Sequence, residues 1–266
     1  MARKARNLMS NSYVHITQQC ESQLFLFEEE KYRKHYLGLL KETALKFGLI
    51  VLAYCIMKNH IHLLVKVGED AAKISRAMHW LSGKMAQDYN RAANRKGHFW
   101  RDRFASTHIC SGKHFGNVIS YIDANSLNCK DGCDPIHWSY CSYRELQRGD
   151  DAVSVVDRFA LIKALKMNDI NEFLAWQRKL MDRQTGHASR AAAAQSVVFS
   201  GHYALGTQEE LNLLRKRLKK RGIFSYMQYL GLDADRDPLW ALDLCTEQYA
   251  IQRERRLAQQ PAPPAA

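Results

Sequence analysis

Two histidines inside an apolar strand are the feature that most limits how this chain can fold. His60 and His62 lie within Tyr54–Val67, a pattern that predicts two strands joined by a tight turn at Lys58–Asn59. Side chains two apart on a strand share a face, so the imidazoles lie side by side while Ile61 faces a core. Such a pair can hold one divalent metal ion. The more frequent alternative for a lone pair is a set of ordinary hydrogen bonds.

Composition and charge narrow the class of partner. The chain has 266 residues, 46% of them hydrophobic, which suffices for one large domain or a core domain with a smaller one. Its net charge of +12 indicates a polyanion, most simply nucleic acid, with a basic, solubilising surface as the alternative. The sequence has neither an 18-residue apolar run nor an apolar signal region, so we expect a cytoplasmic protein with no membrane partner. Seven cysteines, an odd number, fit reduced thiols.

The order of predicted elements indicates the fold. Apolar residues recur at strand or helix spacing in the order β-α-β-β-α-β-α. This order predicts an α+β fold, a ferredoxin-like split βαβ antiparallel sheet with helices on one face, with the histidine strand near its centre. The predicted strands are 11–17, 49–57, 60–67 and 103–110, and the predicted helices are 28–47, 71–93 and 113–125.

The pattern changes near residue 150, where a helical C-terminal extension is predicted. No clear strand is indicated beyond this point, and the last residues are rich in proline and alanine. We therefore predict a domain over 1–150, a helical region over 151–258 and a disordered tail over 259–266. The predicted helices of the second region are 151–166, 168–184, 207–221 and 238–257.

Tyr121 and Asn125 can complete a site with the two histidines. They are four residues apart on a predicted helix and therefore share one face. With this face against the histidine strand, His60, His62 and the Asn125 oxygen could bind one Mg²⁺ or Mn²⁺, and the Tyr121 phenol could attack a phosphodiester. A phenol is protonated at neutral pH and needs a nearby cation or base for this role. The alternatives are a tyrosine packed on the sheet and an asparagine that ends its helix.

Three ordered sequence blocks, with a fourth after them, resemble the single-tyrosine HUH transposases, and most of all their REP-associated branch. The similarity covers residues 10–147. The blocks are AYCIMKNHIHLLV at 53–65, GHFWRDRFAS at 97–106, YIDAN at 121–125 and WSYCSYR at 138–144.

The resemblance implies a ferredoxin-like fold and a metal-dependent single-stranded DNA nickase and strand transferase, or transposase, that works through a 5′-phosphotyrosine. The implied partner is hairpin-bearing single-stranded DNA, and relatives act as monomers or homodimers. By matching positions, His60, His62 and Asn125 are the implied metal ligands and Tyr121 the nucleophile.

Two segments depart from the family pattern. Where the family has Asn-Pro-Val-Arg-Ala, this chain has Asn125-Ser-Leu-Asn-Cys129, and Gln18–Ser22 replaces an Arg-Gly-Asn-like turn. These changes leave substrate choice open, together with a domesticated hairpin-DNA-binding protein or regulator with little or no cleavage. A metal-dependent nuclease that uses water instead of tyrosine is a separate alternative.

Two basic segments are candidate DNA contacts. In the first, Arg101 and Arg103 alternate with Trp100 and Phe104, which suits a charged backbone and stacking bases. The alternative is that the aromatic residues belong to the core and the arginines to the solvent. The second is a predicted exposed helix face that could contact the phosphates of a duplex stem. It consists of Arg215, Lys216, Arg217, Lys219, Lys220 and Arg221.

A cysteine-rich stretch has residues of the kinds that bind zinc. Cys129, Cys133, His137 and Cys141 recur every four residues. The spacing is not that of the common zinc fingers or ribbons, and Asp134-Pro135 should break a helix across it. Reduced, partly buried thiols are therefore the default interpretation, with zinc as the alternative.

Overall fold

The computed structural model describes residues 8–110, 113–128, 133–149, 154–185, 203–206 and 228–231, together with Glu209, Asn212, Leu213 and Lys216. Its strands are β1 (Ser12–Gln19), β2 (Ile50–Ile56), β3 (His60–Val67), β4 (Ala105–Ile109), β5 (Tyr203–Gly206) and β6 (Gln228–Gly231). Its α-helices are α1 (Glu30–Phe47), α2 (Ala72–Ala92), α3 (Lys113–Asp123), α4 (Ser142–Arg148), α5 (Arg158–Leu165) and α6 (Ile170–Thr185).

A mixed sheet organises these elements in the order β2-β3-β1-β4-β5-β6. The first four strands are antiparallel, and β3 lies between β2 and β1 as predicted. In this register His62 lies opposite Cys55 of β2 and Thr17 of β1. The two histidines therefore lie on an inner strand, where neighbouring strands fix the backbone on both sides.

One face of the sheet forms an apolar core with α1 and α2. Ile61 and Leu63 of β3 are fully buried on it. Gln18 lies on the same face, opposite Ile61, and its side-chain oxygen accepts a hydrogen bond from Ser82 of α2 at 2.8 Å. The apolar stripe of α2 is Ile74, Met78, Leu81 and Met85, at the spacing of one helix face.

The opposite face, which we call the histidine face, carries His60, His62 and His15, and α3 packs against it. Tyr13 of β1 meets Phe115 of α3 edge to face, with ring centroids 4.7 Å apart. The predicted α+β, ferredoxin-like fold is confirmed, with one refinement. Helices lie on both faces of the sheet, because α3 covers the histidines that would otherwise be open to solvent.

The helix that carries the candidate tyrosine ends two residues earlier than predicted. After Asp123 the backbone tightens into a 3₁₀-helix over Ala124–Asn128. The Asn125 side-chain nitrogen donates to the Tyr121 carbonyl oxygen at 2.8 Å, which satisfies an acceptor near the helix end. This bond also fixes the orientation of the Asn125 amide.

Part of the C-terminal region supports α3. A Cβ atom at Gly116 of α3 would come within 2.8 Å of the Trp176 ring of α6, so glycine permits the close approach of the two helices. The predicted helices over 151–166 and 168–184 correspond to α5 and α6. The absence of strands was wrong, because β5 and β6 extend the sheet beside β4. The predicted helix over 238–257 and the tail over 259–266 lie outside the described residues, and the division at residue 150 stays a prediction.

The described residues bear on two predictions from the sequence, which concern membrane-spanning helices and the state of the cysteines. Within them, no helix has both the length and the apolar character that crossing a bilayer requires. The five cysteines in this part of the chain form no disulfide bonds with one another; they are Cys20, Cys55, Cys110, Cys133 and Cys141.

Candidate functional site

The structure brings the four predicted site residues together. The rings of His60 and His62 meet edge to face, with centroids 4.9 Å apart. The Tyr121 ring lies 5.3 Å from His62, nearly perpendicular to it. The Asn125 amide is close enough to both imidazoles to offset in part the lowering of their pKa by burial. Residues from an inner strand and from α3 with its 3₁₀ extension thus meet at one place on the histidine face.

The contacts of His60 fix which of its nitrogens is available. Its Nδ1 lies 2.7 Å from the Asn59 side-chain oxygen. An amide oxygen only accepts hydrogen bonds, so Nδ1 must carry the proton and Nε2 the lone pair. The turn residue before the strand therefore leaves His60 Nε2 available as a ligand atom.

His62 is more deeply enclosed, with 3% of its surface exposed. Its Nδ1 lies 3.0 Å from Nε2 of His15, and the two rings are stacked with centroids 5.1 Å apart. Its Nε2 is buried and, among the described residues, has no hydrogen-bond partner of ordinary geometry. A buried nitrogen of this kind is costly unless something binds it.

Burial keeps these imidazoles neutral. It lowers the pKa of His60 to about 4, against a smaller opposite effect of the Asn125 amide. Burial, with repulsion from His60 and His15, lowers the pKa of His62 well below its usual range. Burial alone lowers the pKa of His15 to about 3. At neutral pH each ring therefore has one N–H and one lone pair, the state that metal binding requires.

These residues fit a divalent metal ion. Two neutral imidazoles supply nitrogen ligands, and the bond from Asn125 Nδ2 to the Tyr121 carbonyl directs the amide oxygen away from that carbonyl. Across the part of the chain that the structure describes, no three His, Cys, Asp or Glu side chains are grouped to hold a metal. A third protein ligand here would therefore be the oxygen of Asn125.

Tyr121 is enclosed by the two buried histidines. Only 3% of it is exposed, and its ring meets His15 edge to face at 5.9 Å as well as His62. The phenol is next to the candidate metal ligands but covered in this conformation. A DNA strand would reach it only after a local opening of the site.

A buried carboxyl group, which sequence reasoning missed, anchors the tyrosine helix. Asp123 accepts hydrogen bonds from Ser142 of α4 at 2.9 Å and from Gln177 of α6 at 2.7 Å. Its pKa is raised to about 7, because burial outweighs these hydrogen bonds. The group points away from solvent and ties α3 to two later helices. The only sequence signal was an acidic residue among the apolar neighbours of Tyr121.

His15 is the second functional candidate that sequence reasoning missed. It is fully buried on β1 and contacts both His62 and Tyr121. The signal was present in the sequence, because His15, like His62, interrupts an apolar strand.

The first basic segment lies at the edge of the site. Arg101 and Arg103 are exposed, and Arg101 donates from its backbone nitrogen and its guanidinium to Gln19. Gln19 lies opposite His60 in the sheet, so Arg101 is held close to the candidate ligands. Trp100 is half-buried, donates to the Ser82 carbonyl at 2.9 Å and packs on core aromatic rings. Its position favours the core interpretation over base stacking.

The remaining predicted residues are only partly described. Lys216 is helical and exposed, whereas Arg215, Arg217, Lys219, Lys220 and Arg221 lie outside the described residues. Cys129 also lies outside them. Cys141 is buried, and its sulfur contacts the carbonyl oxygens of Pro135 and Trp138 at 3.3 Å. Cys133 and His137, which are described, are not grouped with Cys141 as a metal site.

Comparison with known proteins shows that the N-terminal region is similar to a family of transposases. Residues 8–125, which include all four candidate site residues, match the family described as "Transposase IS200 like". The match covers somewhat less than half of the chain. No curated protein matches the sequence.

Two solved structures are similar to parts of the chain. One is a REP-associated tyrosine transposase bound to a REP hairpin, with 16% identity and a TM-score of 0.45 over 59% of this chain and 94% of the other. The second is a candidate transposase from Deinococcus radiodurans R1. It has 17% identity and a TM-score of 0.32 over 47% of this chain and 97% of the other.

Proposed function

We propose that this protein is a metal-dependent nickase and strand transferase that acts on hairpin-bearing single-stranded DNA through a 5′-phosphotyrosine at Tyr121. The observation that carries the proposal is the meeting of Tyr121, His60, His62 and Asn125 at one place on the sheet. The transposase family of residues 8–125 supports it. The choice of a hairpin follows from the resemblance of the sequence blocks to the REP-associated branch.

His60 Nε2, His62 Nε2 and the Asn125 oxygen would hold the ion, Mg²⁺ or Mn²⁺. When bound, such an ion withdraws charge from a phosphodiester oxygen and stabilises the crowded transition state. The protein supplies neutral imidazoles, because burial keeps both unprotonated at neutral pH. It also supplies an amide oxygen whose direction is fixed by the bond to the Tyr121 carbonyl.

Tyr121 would act as the nucleophile. The phenol loses its proton as its oxygen forms a bond to phosphorus, the bond from phosphorus to the 3′ oxygen breaks, and the departing 3′ oxygen takes up a proton to become a hydroxyl. The phosphotyrosine conserves the bond energy of the strand, so that a different 3′ hydroxyl can attack it and release the tyrosine.

Arg101 and Arg103 would guide the DNA backbone towards the site. Both are exposed, and Arg101 is held at the end of β1 that faces His60. A cationic path suits a single strand whose phosphates need neutralising. A substrate of this kind would place the protein at the bacterial nucleoid. The protein would act there as a monomer or a homodimer.

A covalent-trapping experiment tests the proposal. Full-length protein is incubated with Mn²⁺ and a pool of labelled hairpin oligonucleotides, and protein–DNA adducts are separated on a denaturing gel and sequenced. We expect an adduct with the wild type and none with Tyr121→Phe. Tyr13→Phe is the matched control, because Tyr13 lies on the same face of the sheet and should leave the adduct intact. No adduct, or one that survives Tyr121→Phe, contradicts the proposal, and cleavage without an adduct indicates a nuclease that uses water.

A second candidate function is hairpin-DNA binding with little or no cleavage. The near-complete burial of Tyr121 favours it, because a covered phenol does not reach a phosphate without opening. This candidate predicts hairpin binding that persists in EDTA and is unchanged in Tyr121→Phe. Loss of all binding on chelation would argue against it.

A further inference from the structure

A third buried histidine lies behind the candidate ligand pair. His15 of β1 is diagonal to His62 of β3 across the antiparallel pairing, in which Thr17 is the direct partner of His62. Its Nε2 lies 3.0 Å from His62 Nδ1, and both side chains are buried.

A hydrogen bond of this length between two imidazole nitrogens requires a single proton between them. One nitrogen must carry N–H and the other a lone pair, because two N–H groups repel and two lone pairs do not bind. If His62 Nδ1 donates, its proton is on Nδ1 and its Nε2 has the lone pair. If His15 Nε2 donates, His62 carries its proton on Nε2, which then cannot bind a metal ion.

Metal binding at the proposed site distinguishes these two arrangements. His62 Nε2 is buried, and among the described residues it has no hydrogen-bond partner of ordinary geometry. An ion bound there requires a lone pair on Nε2, which places the His62 proton on Nδ1, 3.0 Å from His15 Nε2. A lone pair there is directed at the place where His60 and Asn125 converge. His60 has the same arrangement, because Asn59 holds the proton on Nδ1.

We propose that His15 is a positioning residue that accepts a hydrogen bond from His62 Nδ1 and so holds His62 in the tautomer whose Nε2 can bind the metal. The inference rests on the proposed metal site, and it adds a supporting residue to it. The stacked rings, 11° from parallel, also limit rotation of the His62 ring. Supporting groups of this kind behind a metal-bound histidine fix both its tautomer and its orientation.

The tautomer can be read directly in the metal-free protein. Full-length protein labelled with ¹⁵N-histidine is examined by long-range ¹H–¹⁵N correlation NMR, and the His62 signals are assigned with His62→Gln. We expect the proton of wild-type His62 on Nδ1. In His15→Leu, which has no acceptor, we expect a mixture of tautomers, and in His15→Gln, whose amide oxygen can accept, a return to Nδ1–H.

Metal affinity gives the second readout. We expect Mn²⁺ binding, followed by calorimetry, to weaken about 10- to 100-fold in His15→Leu and to recover largely in His15→Gln. His108→Leu is the matched control, because His108 is a buried histidine of the neighbouring strand on the opposite face of the sheet. It should lower stability without changing the His62 tautomer or the Mn²⁺ affinity.

The two readouts separate failure of this inference from failure of the proposed function. A wild-type His62 protonated on Nε2, or Mn²⁺ affinity unchanged in His15→Leu, would overturn the role of His15 even if the protein cuts DNA. Absence of Mn²⁺ binding by the wild type would overturn the metal site. The positioning of His62 by His15 would then still be decided by the NMR spectrum of the metal-free protein.

Discussion

The two faces of strand β3 differ in what they contribute to the protein. One carries Ile61 and Leu63, packed into an apolar core with α1 and α2. The other carries His60 and His62 against Tyr121 of α3, where burial disfavours the charged state of each ring. Alternation along a single strand thus assigns stability to one face and candidate chemistry to the other.

The histidine face therefore carries a cost in stability that the apolar face does not. Buried imidazoles lose their hydration, and one nitrogen of His62 has no hydrogen-bond partner of ordinary geometry in the described structure. Apolar side chains at the same positions would pack without that cost. Substitutions on the two faces should therefore separate stability from metal and DNA binding.

The largest effect on stability is expected on the apolar face. Leu63→Ala removes a fully buried side chain and should lower the free energy of unfolding by about 2–5 kcal/mol, because it leaves a cavity. Urea unfolding followed by circular dichroism measures the loss. Mn²⁺ affinity, measured below the unfolding transition, should stay as in the wild type. A loss under about 1 kcal/mol would show that this face is not the main source of stability.

The opposite outcome is expected on the histidine face. His62→Gln should weaken Mn²⁺ binding by more than about 100-fold, because losing a ligand costs more than losing a supporting residue. Its effect on unfolding should be smaller than that of Leu63→Ala. His108→Gln serves as the control, and calorimetry gives the affinities. Equal affinities for His62→Gln and the wild type would remove His62 from the ligand set.

The pH dependence of stability should reveal the buried imidazoles. Because the folded-state pKa of His15 is about 3 and that of His60 about 4, below the usual 6.5, the unfolded chain binds more protons than the fold between pH 6.5 and 4. Each such ring lowers the free energy of unfolding by about 1.4 kcal/mol per pH unit as the pH falls through this window. Asp123, with a raised pKa of about 7, acts in the opposite direction.

A variant isolates the contribution of one ring. His15→Gln should flatten the slope of unfolding free energy against pH by about 1.4 kcal/mol per unit between pH 5 and 6. Urea unfolding at a series of pH values supplies the measurement. If the slope is the same as in the wild type, His15 is not held neutral in the fold.

The smallest expected effect concerns the exposed arginines. Arg101→Ala should weaken binding of a single-stranded oligonucleotide a few-fold and reduce the slope of log affinity against log salt by about 0.7, the value for one phosphate contact. Arg76→Ala is the control, because Arg76 of α2 is paired with Asp70. Fluorescence anisotropy at several salt concentrations distinguishes the two. An equal loss in both variants would indicate only a general effect of charge.

The sequence was informative where the signal is local. Alternation predicted the β2–β3 hairpin, and helical spacing placed Tyr121 and Asn125 on one face. The resemblance then linked these segments, and the structure brings them together. Their roles as nucleophile and ligands stay predictions.

Contacts between distant segments were not predictable from local patterns. The pair of His15 and His62 joins residues 47 apart, and that of Asp123 and Gln177 joins residues 54 apart. The local spacing of these residues does not indicate which distant residue each of them contacts. The short strands β5 and β6 were missed for a similar reason, because four residues carry too little periodicity to separate strand from loop.

Anomalous X-ray scattering from crystals grown with Mn²⁺ would locate the ion relative to the four site residues. We expect one strong peak within bonding distance of His60 Nε2, His62 Nε2 and the Asn125 oxygen, with the Tyr121 hydroxyl nearby. A peak at another place, or no peak at saturating Mn²⁺ with these side chains ordered as described, would contradict this prediction.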